Sequence, residues 1–216
     1  MEQYRHTLLQ NTELINISDL GAGSRVSTKG EKTVRDIARH SSSTAFRSRL
    51  LFRMAGYLNA MNILELGTNL GLGTQALALS SSEAEITTIE GCPELHAFAK
   101  EQLQAQGLRN VRFLQGTFAD ILPGLTEKQW DLVFIDGHHD KDATLKYANM
   151  LLDRVHEQSL VILDDINWSP GMQSAWQALK EHPKVTVTVD TFFWGLLFFR
   201  KGQLSLIHIS EPTRPR

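Results

Sequence analysis

The order of apolar and polar residues changes character near Asn62. Before it, one stretch keeps a helical period. Leu50, Leu51, Met54, Ala55 and Leu58 recur at helical spacing, so one face of a helix there is apolar. Ser42, Ser43 or Thr44 stands where that helix needs an N-cap acceptor. Ahead of it, Gly21 to Gly30 reads GAGSRVSTKG, a flexible Gly- and Ser-rich loop with basic residues, which suits a lid or an ordinary loop equally. Residues 1–60 are expected to form an N-terminal helical cap, and 61–203 the main domain.

From Asn62 onward, short β-rich runs alternate with longer helical ones. Strands are expected over Ile63–Leu66, Glu85–Glu90, Val111–Gln115, Asp131–Ile135, Leu160–Leu163, Lys184–Asp190 and Gly195–Arg200. Helices are expected over Thr74–Leu79, Pro93–Gln106, Phe118–Leu122, Lys141–Leu152 and Met172–Glu181. This alternation predicts an α/β fold, a Rossmann-like three-layer sandwich with helices on both faces of a mostly parallel sheet. Only about four residues separate the last two of the seven strands, too few for a helical crossover, so the last strand should be antiparallel. The apolar run Phe192 to Phe199 suits a central strand pair or the edge of a homodimer.

Composition narrows the class. At 216 residues, 42% hydrophobic and 21% charged, the chain resembles one ordinary globular domain. A net charge of −2 advertises no nucleic-acid or anionic-membrane partner. The single cysteine, Cys92, excludes an internal disulfide and a Cys-rich zinc site, and is compatible with a cytoplasmic location. The N-terminus has neither the basic nor the apolar region of a signal peptide, and no 18-residue apolar run predicts a membrane span. The tail from Leu204, LSLIHISEPTR, resembles the translation of a transposase adapter from sequencing libraries. The natural chain is therefore expected to end near Gln203, with 204–216 non-native.

The chemistry-bearing residues gather at predicted strand ends. ILELGTNLGLGT (Ile63 to Thr74) is an apolar strand, an acid, then a Gly-rich loop opening a helix. Gly67 and Gly71 permit turns and close approach of a ligand to the backbone. The spacing E-x-G-x-x-x-G-x-G differs from the G-x-G-x-x-G of dinucleotide folds. Glu90 ends the next strand in TTIEGCP, where a carboxylate can accept from a ribose diol. FLQGTF puts Gly116, Thr117 and Phe118 at the third strand's end, where an adenine could rest.

On these motifs the chain resembles the class I S-adenosylmethionine-dependent methyltransferases from roughly Asn62 to Gln203. The resemblance implies S-adenosylmethionine as cofactor and a set of contacts. Glu65, Gly67, Thr68 and Gly71 would form the loop beside the donor's methionine part, with Gly67 and Thr68 against it. Asn69 and Thr74 would bond its carboxylate, aided by the helix N-terminus. Glu90 would hold the ribose, and Thr117 and Phe118 would flank the adenine.

Two further strand ends carry acids. WDLVFIDGHHDKD (Trp130 to Asp142) delivers Asp136, His138 and His139, and SLVILDDINW (Ser159 to Trp168) delivers Asp164 and Asp165. Adjacent parallel strands bring their C-terminal residues to one edge, and clustered carboxylates need a cation or proton among them. Such oxygens suit Mg²⁺ or another divalent ion. The arrangement resembles the divalent-cation-dependent O-methyltransferases of the catechol and caffeoyl types. That implies a metal on Asp136, Asp164 and Asp165, and a small-molecule hydroxyl acceptor. This chain departs from those enzymes in carrying Asp165 for their Asn and His139 for their lysine. Asp136 could also contact the donor, and His139 is the candidate general base, with His138 as the alternative bystander. Trp168, beside the acidic pair, could wall a planar acceptor; Trp176, Phe192, Phe193 and Trp194 read mainly as core.

Two other readings stand beside this one. A nicotinamide-dependent oxidoreductase is disfavoured by the glycine spacing and the lack of an obvious Tyr-x-x-x-Lys pair. A non-catalytic cofactor-binding module would keep the fold without the chemistry.

Overall fold

A computed structural model describes residues 1–18, 30–125 and 128–201. Its centre is a seven-stranded sheet of β3 (Asn62–Leu66), β4 (Glu85–Glu90), β5 (Val111–Gln115), β6 (Trp130–Ile135), β7 (Val155–Asp164), β8 (Val187–Asp190) and β9 (Trp194–Phe198), in the order β5-β4-β3-β6-β7-β9-β8. The pairs from β5 through β7 are parallel, and β9 runs antiparallel between β7 and β8. The order reverses beside β3 and β6, which places a ligand crevice at their C-terminal ends.

Both faces of the sheet are buried, as continuous apolar strand runs require. On one face Leu64, Leu66, Val133, Ile135, Val161 and Leu163 pack with residues of α7 (Lys141–Leu152) and α8 (Pro170–Lys180). On the other, Ile63, Leu132, Phe134 and Ile162 meet residues of α3 (Ala45–Tyr57) and α4 (Leu72–Ala78). The run Phe192 to Phe199 contributes β9, the strand next to last in the sheet; Trp194 is fully buried against Phe134 at 5.6 Å between ring centroids, whereas Phe192, read as core, is exposed.

The expected Rossmann-like sheet is therefore present, with shifted boundaries. Two helices begin earlier than periodicity suggests. In α8, Ser169 caps by accepting from the Met172 N–H at 3.1 Å, and Pro170 occupies the first turn. Strand β7 begins at Val155, where a polar half-strand pairs Val155 with Trp130 across a register shift. Of the three candidate caps for α3, Thr44 serves, accepting from the Arg47 N–H at 3.2 Å.

The N-terminal segment is richer than its sequence suggests. It forms α1 (Glu2–Gln10), the hairpin β1 (Leu14–Ile17) and β2 (Gly30–Thr33), and α2 (Val34–His40). Tyr4, Leu8, Ile15, Val34 and Ile37 are buried against Leu70, Leu72, Leu95 and Phe98, beside the crevice. Only two side chains of α1 are buried, too few to leave a clear apolar stripe. The GAGSRV loop and the adapter-like tail lie outside the described residues. Among the described residues no helix is long and apolar enough to cross a membrane.

Candidate active site

The loop after β3 is shaped from below. Glu65 is buried, and its carboxylate accepts from Thr74 Oγ1 at 2.5 Å and Thr88 Oγ1 at 2.7 Å. Thr68 shares a 2.6 Å hydrogen bond with Thr88. Glu65 and Thr74, expected to meet the donor, thus turn inward and spend their polar atoms on each other. The sequence places the acid at the strand end but says nothing of its direction, which depends on Thr74, Thr88 and Gly73 packed around it. A Cβ on Gly73 would sit 2.5 Å from Glu65 Oε1, so Gly73 makes room for the carboxylate.

Burial raises the Glu65 pKa from 4.5 to about 7, against the lowering effect of both threonine hydroxyls. A carboxyl with a raised folded-state pKa takes up a proton on folding. Its contribution is full below 4.5 and is lost as pH rises toward about 7. In Glu65→Gln this slope should disappear. Urea titrations of both proteins across that window would show it, and an unchanged slope in the variant would exclude Glu65 as its source.

Above this network the loop presents backbone. Gly71, left-handed at φ 79°, is the N-cap residue of α4. Asn69 is also left-handed at φ 50°, and its N–H donates to Glu90 Oε2 at 2.8 Å. The other Glu90 oxygen accepts from the Cys92 N–H at 2.9 Å. Glu90 is thereby fixed across the mouths of β3 and β4 by backbone N–H groups of both loops. Burial raises its pKa, opposed by these backbone N–H groups. The Asn69 side chain is engaged too: its amide donates to the Ser41 carbonyl at 2.5 Å, and Oδ1 accepts from the Leu70 N–H at 2.7 Å. Its amide side chain is therefore tied to the α2–α3 junction.

At the end of β5, Thr117 caps the short helix α6 (Phe118–Ile121), with its hydroxyl donating to Asp120 at 2.6 Å. Its hydroxyl is engaged within the cap. The Phe118 ring stacks edge-on against Tyr147 at 5.5 Å, and His138 packs over the same two rings. His138 thus belongs to an aromatic wall.

The acid edge assembles as the strand ends require. Asp136 and Asp164 share a hydrogen bond, and burial together with nearby carboxylates raises both pKa values, so the pair keeps a proton above the usual carboxylate range. Asp165 adopts φ 50°, a conformation aspartate tolerates, which lets two consecutive carboxylates turn toward one point. His139 Nε2 lies 3.9 Å from Asp136 Oδ1. Sequence reasoning missed Arg47. Its Nη1 reaches both Asp164 oxygens, at 3.1 and 3.2 Å, and Nη2 lies 3.5 Å from Asp165 Oδ1. No local pattern pairs residues 117 positions apart. Among the described residues, no group of three His, Cys, Asp or Glu side chains is arranged to hold a metal ion.

These groups open onto one cleft of about 270 Å³, lined by Asn69, Arg47, Asp136, His139, Asp165 and Trp168 among others. Trp168 is 45% exposed there, as its position beside the acids suggested. Glu90, Thr117 and Phe118 do not line this cleft; they lie along the strand ends on the β4–β5 side.

Residues 64–166 match a family model described as a methyltransferase domain. This stretch is a methyltransferase domain, and the fold is that of the Rossmann-like S-adenosylmethionine-dependent methyltransferases. This methyltransferase is 26% identical to the catechol O-methyltransferase of Mycobacterium tuberculosis over 159 residues, covering 67% of this chain and 71% of that one. It is 30% identical to a ribosomal RNA small subunit methyltransferase J of Rhodopseudomonas palustris over 122 residues, covering 51% of this chain and 55% of the relative. Its fold matches the cofactor-bound Rv0187 from MTB with a TM-score of 0.69 at 24% identity, covering 76% and 84% of the two chains. It also matches the O-methyltransferase TomG of Streptomyces achromogenes, solved with SAM, with a TM-score of 0.67 at 23% identity, covering 74% and 82%.

Proposed function

We propose that the methyltransferase transfers a methyl group to a hydroxyl oxygen of a small planar molecule held in the cleft between His139 and Trp168. The observation that carries this reading is the cleft itself, which sets a base beside a paired acid and an exposed indole on one small floor. The donor set fits S-adenosylmethionine. Left-handed loop residues bring backbone N–H groups to the strand ends, and Glu90 is fixed as a carboxylate at the end of β4, where a ribose diol could meet it. When bound, the cofactor supplies an electrophilic methyl on a sulfonium that departs as a neutral thioether.

The chain's own residues have two tasks. Trp168 and the cleft walls orient the acceptor, which lowers the entropic cost of the encounter. His139 accepts the hydroxyl proton, and Asp136 stabilises the resulting imidazolium. The metal expected on Asp136, Asp164 and Asp165 does not fit the geometry, because Arg47 already faces both Asp164 oxygens and approaches Asp165. The small cleft and the net charge of −2 favour a small acceptor over RNA.

Calorimetric titration with S-adenosylmethionine, followed by a methyl-transfer assay on a catechol-type probe, tests this reading. One donor bound per chain and a methylated hydroxyl product are expected. Donor binding with transfer to ribosomal RNA and to no phenol would replace the small-molecule acceptor, and a folded protein that binds no donor would overturn the reading.

A further inference from the structure

Three carboxylates meet at the ends of β6 and β7, and unpaired charges cannot be crowded together out of water. The cation that meets them is Arg47. Asp164 is only 4% exposed, and its carboxylate has about four acceptor positions. Arg47 Nη1 reaches both oxygens, the Asp165 N–H donates to Oδ1 at 2.8 Å, and Asp136 shares the remaining hydrogen bond. No lone pair points at an empty position, whereas a divalent ion would need one from each carboxylate, with short, well-directed contacts.

Arg47 is held there from behind as well. It lies in the first turn of α3, with its N–H capped by Thr44. Its guanidinium sits 4.8 Å from the centroid of Phe193, whose ring is braced edge-on by Phe46 at 6.1 Å and Trp194 at 5.4 Å. A planar cation between an aromatic face and two carboxylates is well suited to arginine. A side chain that had merely strayed toward acids would not be clamped on both sides.

We propose that the guanidinium of Arg47 is the resident cation of the Asp136–Asp164–Asp165 cluster, so that the site works without added metal and becomes a divalent-cation site only when Arg47 is removed. The inference rests on the reading of this edge as the acceptor-side floor, but its test does not depend on the acceptor. In the wild type Arg47 is a positioning residue: it offsets part of the floor's negative charge and keeps Asp136 oriented toward His139.

The test is titration of Mn²⁺ into the full chain, read by the loss of the free-ion electron paramagnetic resonance signal. Wild type and Arg47→Lys are expected to take up no stoichiometric Mn²⁺. Arg47→Ala should gain one site per chain, at least about tenfold tighter than any wild-type binding, and adding Asp164→Asn should abolish it. Methyl transfer by the wild type should be the same with Mg²⁺ and with chelator. Stoichiometric Mn²⁺ on the wild type would overturn the proposal, as would an Arg47→Ala protein that binds none. Arg47→Met keeps the apolar stem and serves if the alanine variant does not fold. Donor titration on the same samples separates the two ideas. Loss of donor binding by the wild type would count against methyl transfer and leave the Mn²⁺ result standing.

Discussion

Gly67→Ala is expected to destabilise the protein by about 3 kcal/mol or more, the largest effect anticipated for any single methyl group added to this chain. Two costs combine. Gly67 has φ 104°, where a side chain costs about 1–2 kcal/mol. An added Cβ would also lie 2.0 Å from the backbone oxygen of Asp136, and main chain cannot swing aside as a side chain can. That approach is built in: the Gly67 N–H donates to the Ile89 carbonyl at 2.9 Å, and the Asp136 N–H donates to the Leu66 carbonyl at 2.9 Å. The three strand ends are thus tied where the donor is read to bind, and moving one moves the site. A melt should shift down by roughly 6–12 °C for a chain of this length. Gly56→Ala is the control, because it lies inside α3 with nothing within 4 Å of the added carbon. It should be neutral or stabilising by up to about 1 kcal/mol. Equal losses in both variants would mean the close approach at Gly67 is not what matters.

The second large effect is expected at the proposed base. His139→Ala should lower kcat by about 10²–10⁴-fold while donor affinity stays within about threefold, since the imidazole lines the acceptor cleft and not the β4–β5 ends. Its reach to Asp136, 3.9 Å between Nε2 and Oδ1, exceeds a hydrogen bond and suits an ion pair that tightens once the imidazole has taken a proton. Asp136→Asn should therefore also lower kcat more than it raises KM. Added imidazole should restore part of the His139→Ala rate. His138→Ala offers the contrast. His138 packs on Phe118 and Tyr147, so its loss should weaken stability or donor binding more than the proton-transfer step. A His138→Ala rate as low as that of His139→Ala, with unimpaired imidazole rescue, would move the base to His138.

These two sites also mark where sequence reasoning succeeded and where it stopped. The strands β4 and β5 and the helix α7 could be placed to the residue, because β4 is a short, buried β-branched run, β5 is a short apolar–polar run ahead of a glycine, and α7 carries an apolar stripe behind the Asp140 cap. The acids Glu65, Glu90, Asp136 and Asp164 could be placed at one edge, because parallel strands all end on the same side. None of this needs a distant contact. The first turn of α4, the polar half of β7 and the N-terminal hairpin were illegible. Their residues are held by tertiary partners such as Leu70, Leu95 and Phe98, not by local period.

The sequence by itself determined the class: a Rossmann-like sheet, a Gly-rich loop after its first main strand and a row of carboxylates at the strand ends. Those features depend on spacing along one chain segment, and spacing is written in the sequence. Only the tertiary structure decided what each polar group does. It turned Glu65 and Thr74 into a buried brace, tied Asn69 to the α2–α3 junction and Thr117 to the cap of its own helix, and set His139 and not His138 into the cleft. It also brought Arg47 to Asp164, across 117 residues. Direction, burial and long-range charge pairing arise only when separate segments meet in space, and side chains at one strand end face inward or outward according to what packs beneath them.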